Sequence, residues 1–525
     1  MSDTAFMPSP KLAPGETDYD AIVIGAGHNG LVTAAYLARG GMRTLLIEAR
    51  STVGGTAASE PFAGTTVNIC NCDHLTFRTT PVMDELRLSE HGLEYIDIDP
   101  GQHNLSWASA QQGQGWSLHR DIEQTIESLG QHFPEDIEGY RRYTKAAVPA
   151  VEMIFEAASE PPTLSSLTRL AVRRRLAGAP RLMSWSRRSA ADMLRSFFSS
   201  EAVRAPAALT GPMVWGISPE APGSGLGALT HAIRHVSKVG RPVGGSGALP
   251  ESLRVSFEAM GGELRLNSAV DTIMCTDNSV SGVALSSGEE LSAPIVVSAC
   301  NPHDTFLRWL KNPPAAADDL LRRWKNHKRS DGFESKIDAV LSEVPKLKGF
   351  DHPLGATTAL APSLADIDRG AAMMRAGQVL RRPGVLFNVP TILNPSLAPP
   401  DQHLLSLEVL YTPFALRGGW PGSNEPERWL NTFAELCEPG FLDTIIDWRA
   451  MTPDVYEREF HLPGGHATTF AGGPLAAFRN PNPELTEYET AVDGLYLTGA
   501  ATFPGAGIWG ASGRNCATVI LEQRS

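Results

Sequence analysis

The sequence predicts an α/β fold whose parallel sheet is assembled from stretches lying far apart in the chain. Three observations carry that expectation. Near the start, a strand runs through a glycine turn into a helix and a second strand, the pattern of a βαβ unit of about 30 residues. In the middle, a glycine loop opens a helix that is followed by several short strands. At the far end, another short strand runs into glycine and then into an apolar helix. At 525 residues the chain exceeds what one core supports, and two or three domains are expected.

The first unit is the most specific. Tyr19-Asp20-Ala21-Ile22-Val23-Ile24 is apolar, rich in β-branched residues, and stops at glycine, which reads as a strand. Gly25-Ala26-Gly27-His28-Asn29-Gly30 follows, then a helical pattern from Leu31 to Ala38 that ends at Gly40-Gly41. A second strand, Thr44-Leu45-Leu46-Ile47, terminates in Glu48. A G-x-G-x-x-G turn between strand and helix, with an acid about 20 residues on, is a dinucleotide-binding unit. Gly25 permits the tight turn, Gly27 lets the backbone approach a diphosphate, and Gly30 brings the helix close to the sheet. Unpaired N–H groups at the helix start face the phosphates. Glu48 is placed to accept hydrogen bonds from both hydroxyls of an adenosine ribose, and an acid there disfavours a 2′-phosphate.

Beyond Glu48 the chain continues Ala49-Arg50-Ser51-Thr52-Val53-Gly54-Gly55-Thr56. With this Glu-x-Arg-x-x-x-Gly-Gly extension it resembles the FAD enzymes of the amine oxidase and phytoene desaturase superfamily. The resemblance implies non-covalently bound FAD. It also implies that Ala49, Arg50, Gly54, Gly55 and Thr56 continue along the diphosphate and ribityl chain, with His28 and Asn29 lining the loop before them.

The middle and far end extend the likeness. Gly244-Gly245-Ser246-Gly247-Ala248-Leu249-Pro250 precedes a helical stretch from Glu251 to Met260. Strands are expected around Leu264 to Leu266, Val270 to Thr276, Val280 to Leu285 and Ile295 to Ala299. In the family this block returns to the FAD domain, a valine like Val270 meets the adenine through its backbone, and a loop like Gly244-Gly245 lies near the isoalloxazine and substrate. Gly494 to Gly499 reads as a short strand, and Ala500 to Ala517 is dense in small residues before an apolar helix to Leu521. Such density means that something approaches the backbone closely. The stretch resembles the second FAD motif of the phytoene desaturase branch, which implies cofactor contacts from Gly499, Ala500, Gly505, Ala506, Gly507, Ile508, Gly510 and Ala511. The positive end of a helix there would suit the pyrimidine edge of the flavin. Many flavoproteins carry Gly-Asp at this strand end; here it is Gly499-Ala500, so the ribityl contact must come from the backbone or elsewhere. At Gly464-Gly465 relatives continue with Asn and then His three residues on, whereas this chain has His466 and Thr469, which points to an altered substrate pocket.

The expected architecture is therefore a discontinuous Rossmann-like FAD-binding domain (18–80, 241–305 and 480–525) with a mixed-sheet substrate domain (81–240 and 306–479). A helical cap occupies about 150–235, and residues 1–17 form a flexible polar leader. Lys and Arg total 45 against 58 Asp and Glu, a net charge of −13, which excludes a general nucleic-acid binder. No apolar run is long enough to span a bilayer, and the start carries no export signal, so a cytoplasmic protein is expected. Within 163–198 eight arginines accompany one acid, Asp192, and alternate with apolar residues. That stretch is either a surface of the cap with solvated arginines or a basic amphipathic face for peripheral contact with anionic lipid. The six cysteines include no Cys-x-x-Cys pair and no metal-ligand spacing, and they read as core thiols with no metal site.

Such a chain is expected to be an FAD-dependent dehydrogenase, desaturase or oxidase. It would remove a hydride and a proton from a mainly apolar small molecule, with oxygen, a quinone or another acceptor reoxidising the flavin. A redox-neutral double-bond isomerase and a non-catalytic FAD-bearing scaffold are the alternatives. His28, His74, His231, His461 and His466 are candidate bases; His466, flanked by the glycine pair, is the one singled out as catalytic. Gly244, Gly245, His466 and Thr469 are the residues expected near substrate.

Overall fold

The computed structural model describes residues 17–70, 73–110, 113–466, 470 and 481–524. The leader through residue 16, Cys72 and Thr469 lie outside the described residues. Short apolar strands organise the first layer. Leu495–Leu497, Val296–Ser298, Ala21–Ile24, Thr44–Ile47 and Glu263–Arg265 stand side by side in that order as a five-stranded sheet, every neighbouring pair parallel. The three central strands and Leu495–Leu497 are buried throughout, as runs of Ile, Val and Leu require when both faces are covered. Helices His28–Arg39, Ala248–Ala259 and Ala511–Arg524 cover one face, where Leu31, Val32, Leu253, Phe257 and Ile520 meet Val23, Leu46 and Val297. The antiparallel ribbon Val270–Thr276, Ser279–Leu285 and Glu290–Ser292 covers the other, with Trp324 and Phe306 beside it.

The first helix starts at His28 rather than Leu31 and runs to Arg39. Its first turn needs no apolar side chain because it borders a crevice, so hydrophobic periodicity could not mark it. The middle helix likewise starts earlier, at Ala248.

A second sheet has seven strands in the order Ile445–Met451, Gly332–Leu341, His403–Pro413, Val385–Asn388, Thr358–Ala361, Gln102–Ser106, Trp116–Leu118. It is mixed: Thr358–Ala361 runs parallel to Gln102–Ser106 and all other pairs are antiparallel. Helices from Ile122 to Val236 close one end of this sheet around Trp116, Tyr140, Tyr143 and Trp185. Within 163–198 three helices form, Leu164–Arg173, Ala179–Trp185 and Ala190–Phe197. The acids that answer their arginines come from outside the stretch: Glu160 to Arg169, Glu156 to Arg173, Glu152 to Arg174 and Glu220 to Arg195. Leu164, Val172 and Leu176 remain 62%, 70% and 58% exposed. Among the described residues no helix is long and apolar enough to cross a membrane. Of the cysteines, Cys437 and Cys516 are core thiols, whereas Cys70, Cys275 and Cys300 are only partly covered.

Candidate active site

The glycine turn after Ala21–Ile24 has a separate reason for each glycine. Gly25 adopts φ +95, which side chains rarely reach, and a Cβ there would lie 2.7 Å from Cys300 Sγ. A Cβ at Gly30 would lie 2.0 Å from the Gly25 carbonyl oxygen, so helix and strand end touch through backbone alone. At Gly27 a Cβ would meet nothing within 4 Å. Gly27 therefore borders open space, where a ligand could reach the backbone.

Glu48, 8% exposed, secures this turn from the second strand. Its Oε2 accepts from the Ala26 amide at 2.8 Å and its Oε1 from the Arg50 amide at 2.9 Å. A carboxylate has about four acceptor positions, so two remain for a ligand's hydroxyls. Ala49 stands exposed beside it. The Gly54-Gly55 turn is strapped to the same loop: Gly54 N–H donates to Ala26 O at 2.8 Å, and Gly54 pairs with Gly27 as a bridge. Both glycines have positive φ, and Thr56 follows in the short turn Gly55–Ala57. Arg50 is pinned by Glu60 and by the Phe460 ring, whose centre lies 4.1 Å away. The Ser268 amide donates to Glu48 O and the Asn267 amide to Arg50 O, which sets buried Val270 close to Glu48.

The far end arrives at the same place. Gly499 N–H donates to Ser512 Oγ at 3.0 Å, so the last strand and last helix are joined across the Ala500 turn. Gly499, Gly505, Gly507 and Gly510 all have positive φ. His28 lies against the backbone of Gly507, and burial lowers its pKa to about 4. Ile508 O accepts from Thr76 Oγ1 at 2.7 Å, Ala506 and Gly507 are exposed, and Ala511 opens the helix fully buried. A Cβ at Gly513 would come 2.2 Å from Asn29 O; the first and last helices meet at their starts.

Three buried polar atoms around this crevice lack partners: His28 Nε2, Asn29 Oδ1 and Arg50 Nη1. Polar groups rarely stay buried and unpaired without a reason. Two acceptor positions on Glu48, open backbone at Gly27, a guanidinium N–H at Arg50 and a helix start form a donor and acceptor set that fits a ribose and a diphosphate.

The Gly244-Gly245 loop adjoins this crevice. Gly244 borders open space, and a Cβ on Gly245 would lie 2.7 Å from Ser59 Oγ. Ser246 N–H donates to Asn68 Oδ1 at 2.8 Å. The candidate bases divide sharply. His74 is fully buried with both ring nitrogens engaged, by Tyr95 at 2.7 Å and Ser246 at 2.9 Å, and is an architectural pin. His231 sits against Trp116 in the cap. His461 is an exposed helix terminus. His466 is partly covered after the Pro463–Gly465 turn, and burial lowers it to about 4, so it is neutral at physiological pH.

A charged seam that the sequence does not mark lies on the face of the mixed sheet that meets this region. Glu334, Lys336 and Asp338 alternate along Gly332–Leu341, and Glu408 lies opposite Lys336; all four are buried. Lys336 Nζ donates to Asn68 O at 2.7 Å and pairs with Asp338. Asp73 and Arg241 form a further buried pair at 2.6 Å. The alternation Glu-Ser-Lys-Ile-Asp was the available signal, but alternating charge in a strand ordinarily means a solvated face.

Over residues 30–327, more than half of the chain, the sequence matches the family model for flavin containing amine oxidoreductases. It is 29% identical to pyridine nucleotide-disulfide oxidoreductase domain-containing protein 2 of Mus musculus, covering 96% of this chain and 94% of that one. It is 28% identical to phytoene desaturase (lycopene-forming) of Pseudescherichia vulneris, covering 95% and 99%. The structure of putrescine oxidase bound to putrescine superposes with a TM-score of 0.62 at 16% identity, covering 96% of this chain and 98% of that one, a likeness of fold. A crevice shaped for a dinucleotide and a match of this extent agree: the chain belongs to the flavin containing amine oxidoreductase family and is an FAD-dependent oxidoreductase.

Proposed function

We propose that this enzyme removes a hydride and a proton from a mainly apolar organic substrate, and that oxygen, a quinone or another acceptor then takes the electrons. The bound flavin supplies a two-electron acceptor; the chain supplies position, dryness and a place for the proton. The observation that carries this reading is the meeting of the two glycine motifs, through His28 and Gly507 and through Asn29 and Gly513. It favours a single long ligand gripped by both ends of the chain. Gly25, Gly27, Asn29, Gly30, Glu48 and Arg50 would hold its adenosine diphosphate half. Gly499 to Ala511 would hold the flavin end, with Gly244, Gly245 and His466 on the substrate side. The division into 18–80, 241–305 and 480–525 for the FAD and 81–240 and 306–479 for the substrate rests on the same reading.

An apolar substrate is supported by the other half of the inward sheet face. Ala359, Ala361, Leu386 and Leu410 share a core with Leu209, Met213 and Trp509, so the layer between this sheet and the cap is hydrocarbon. The phytoene desaturase relative, whose named substrate is a hydrocarbon, is consistent with this. Exposed Leu164, Val172 and Leu176 beside Arg169 and Arg173 favour peripheral contact with anionic lipid as a route for such a substrate. Anaerobic mixing with a panel of terpenoid hydrocarbons, alcohols and amines tests the reading. Stoichiometric bleaching of the flavin by an apolar member is expected; a flavin that stays oxidised while the double bond moves would replace dehydrogenation with isomerisation.

A further inference from the structure

We propose that Glu334 and Glu408 form the proton-accepting pair of the active site, sharing one proton at rest and taking up the proton that the substrate loses. The proposal rests on the reading above, in which substrate is oxidised between the glycine motifs and the inward face of the mixed sheet. Glu334 and Lys336 point to one face of Gly332–Leu341, and Glu408 stands across from Lys336 on His403–Pro413. Glu334 is 6% and Glu408 4% exposed. Cys70 Sγ lies 3.0 Å from Glu334 Oε1, while Glu408 has no hydrogen-bond or ion-pair partner among the described residues.

The surrounding charges leave the two glutamates without a committed cation. Lys336 Nζ, the nearest, is held by Asp338 and by the Asn68 carbonyl. Arg449 is divided between Asp338 at 3.1 Å and Glu60 at 3.5 Å, and Arg241 is spent on Asp73. Tyr456, on the helix packed below, donates its hydroxyl to Ile69 O at 3.0 Å rather than to either acid. Two buried carboxylates with no cation of their own cannot both ionise, so they titrate as a unit. Burial accordingly pushes Glu334 up, and burial together with the Glu334 charge pushes Glu408 up as well. Carboxylates raised in this way are stronger proton acceptors than His466, which burial lowers to about 4.

The seam that holds the pair is tied to the cofactor side through Lys336 and Asn68. Asn68 touches Lys336 through its carbonyl and the Ser246 amide, at 2.8 Å, through its Oδ1. Bound FAD would supply the two-electron acceptor for the hydride that leaves one C–H bond of the substrate. The neighbouring C–H or heteroatom–H bond would break with its proton going to a Glu334 oxygen and its electron pair becoming the new π bond. The substrate would lose two hydrogens, one as hydride and one as the proton that the pair takes up.

The test uses FAD-loaded protein and the variants Glu334→Gln, Glu408→Gln and His466→Ala, read by pH-difference infrared spectroscopy and by the flavin midpoint potential as a function of pH. The wild type should lose a protonated-carboxyl C=O band across the neutral range, with a bend in the potential over the same range. Glu334→Gln and Glu408→Gln should each move both to lower pH with FAD content intact, because losing one charge of the pair eases ionisation of the other, and His466→Ala should leave both in place. Bands and potentials superimposable on wild type in both glutamine variants, or a bend that vanishes with His466, overturn the proposal. Should Glu334→Gln not fold, the shift in Glu408→Gln decides. Protein that cannot be loaded with FAD defeats the functional reading instead, and the infrared titration of the flavin-free chain still reports on the pair.

Discussion

Replacing Glu48 with Gln isolates the grip on the adenosine end. The side chain keeps its size and its burial, but one acceptor oxygen becomes an NH2 donor and the charge disappears. In the fold each oxygen already serves a backbone amide, Ala26 at 2.8 Å and Arg50 at 2.9 Å. Whichever way the amide group turns, it sets a donor against a donor on one side. Hydrogen bonds to a charged group contribute about 1.5–3 kcal/mol each, so losing one ribose hydroxyl contact and weakening the other should cost about 3 kcal/mol in FAD affinity. At 1.36 kcal/mol per factor of ten, that is roughly 150-fold in Kd. Titrating flavin-free protein with FAD and following the quenching of flavin fluorescence measures it, with circular dichroism as the control for folding. A folded variant whose Kd stays within about threefold of wild type, a difference of about 0.7 kcal/mol, would remove Glu48 from the ribose site and leave it a backbone clamp.

Gly30→Ala should both destabilise the fold and reduce FAD content, because the new Cβ falls 2.0 Å from Gly25 O. Overpacking of about 1–3 kcal/mol outweighs the roughly 1 kcal/mol that Ala gains over Gly in a helix, and an unchanged Tm would show that the helix start yields freely. Asp73→Asn should cost about 3–5 kcal/mol by stranding the buried Arg241 charge, read as a fall in the urea midpoint; a midpoint equal to wild type would mean that Gly355 O and Thr357 suffice for that guanidinium. His231→Phe should stabilise the cap in acid. Burial lowers the His231 pKa to about 3, so the unfolded chain binds a proton there that the folded chain excludes. Stability from this group is complete above the unfolded value of about 6.5 and falls as pH drops from there toward 3. The variant should take up about one proton fewer on unfolding between these limits, measured from the pH dependence of Tm; parallel curves would place the acid lability elsewhere.

Much of the cofactor crevice was legible in the residues because it is written in backbone chemistry. Gly25, Gly27 and Gly30 each answer a local demand for positive φ, open space or close approach, and such demands leave a fixed local spacing. Glu48 was legible for the same reason, as the end of the strand that must follow the turn. The meeting of His28 with Gly507 was less so: both motifs were visible, but their contact joins residues nearly the whole chain apart. Histidines were poorly resolved by sequence. His74, His231 and His466 differ only in what packs around them, and that made the first a pin between Tyr95 and Ser246 and the second a core residue against Trp116.

The parallel sheet, the glycine turns that open its helices and the acid that closes the first of them can thus be read from the residues alone, since they follow from local sterics and the periodicity of burial. Burial of Glu334, Lys336, Asp338 and Glu408 comes instead from contacts between distant parts of the chain. Their alternation along a strand is the same whether that face meets water or another layer of protein. Which it meets depends on the antiparallel hairpin of Ser59–Phe62 and Thr65–Asn68 and on the Ser246 loop, which fold over it from distant parts of the chain. Burial of charge is a property of what covers a face, and no stretch of sequence carries its own cover.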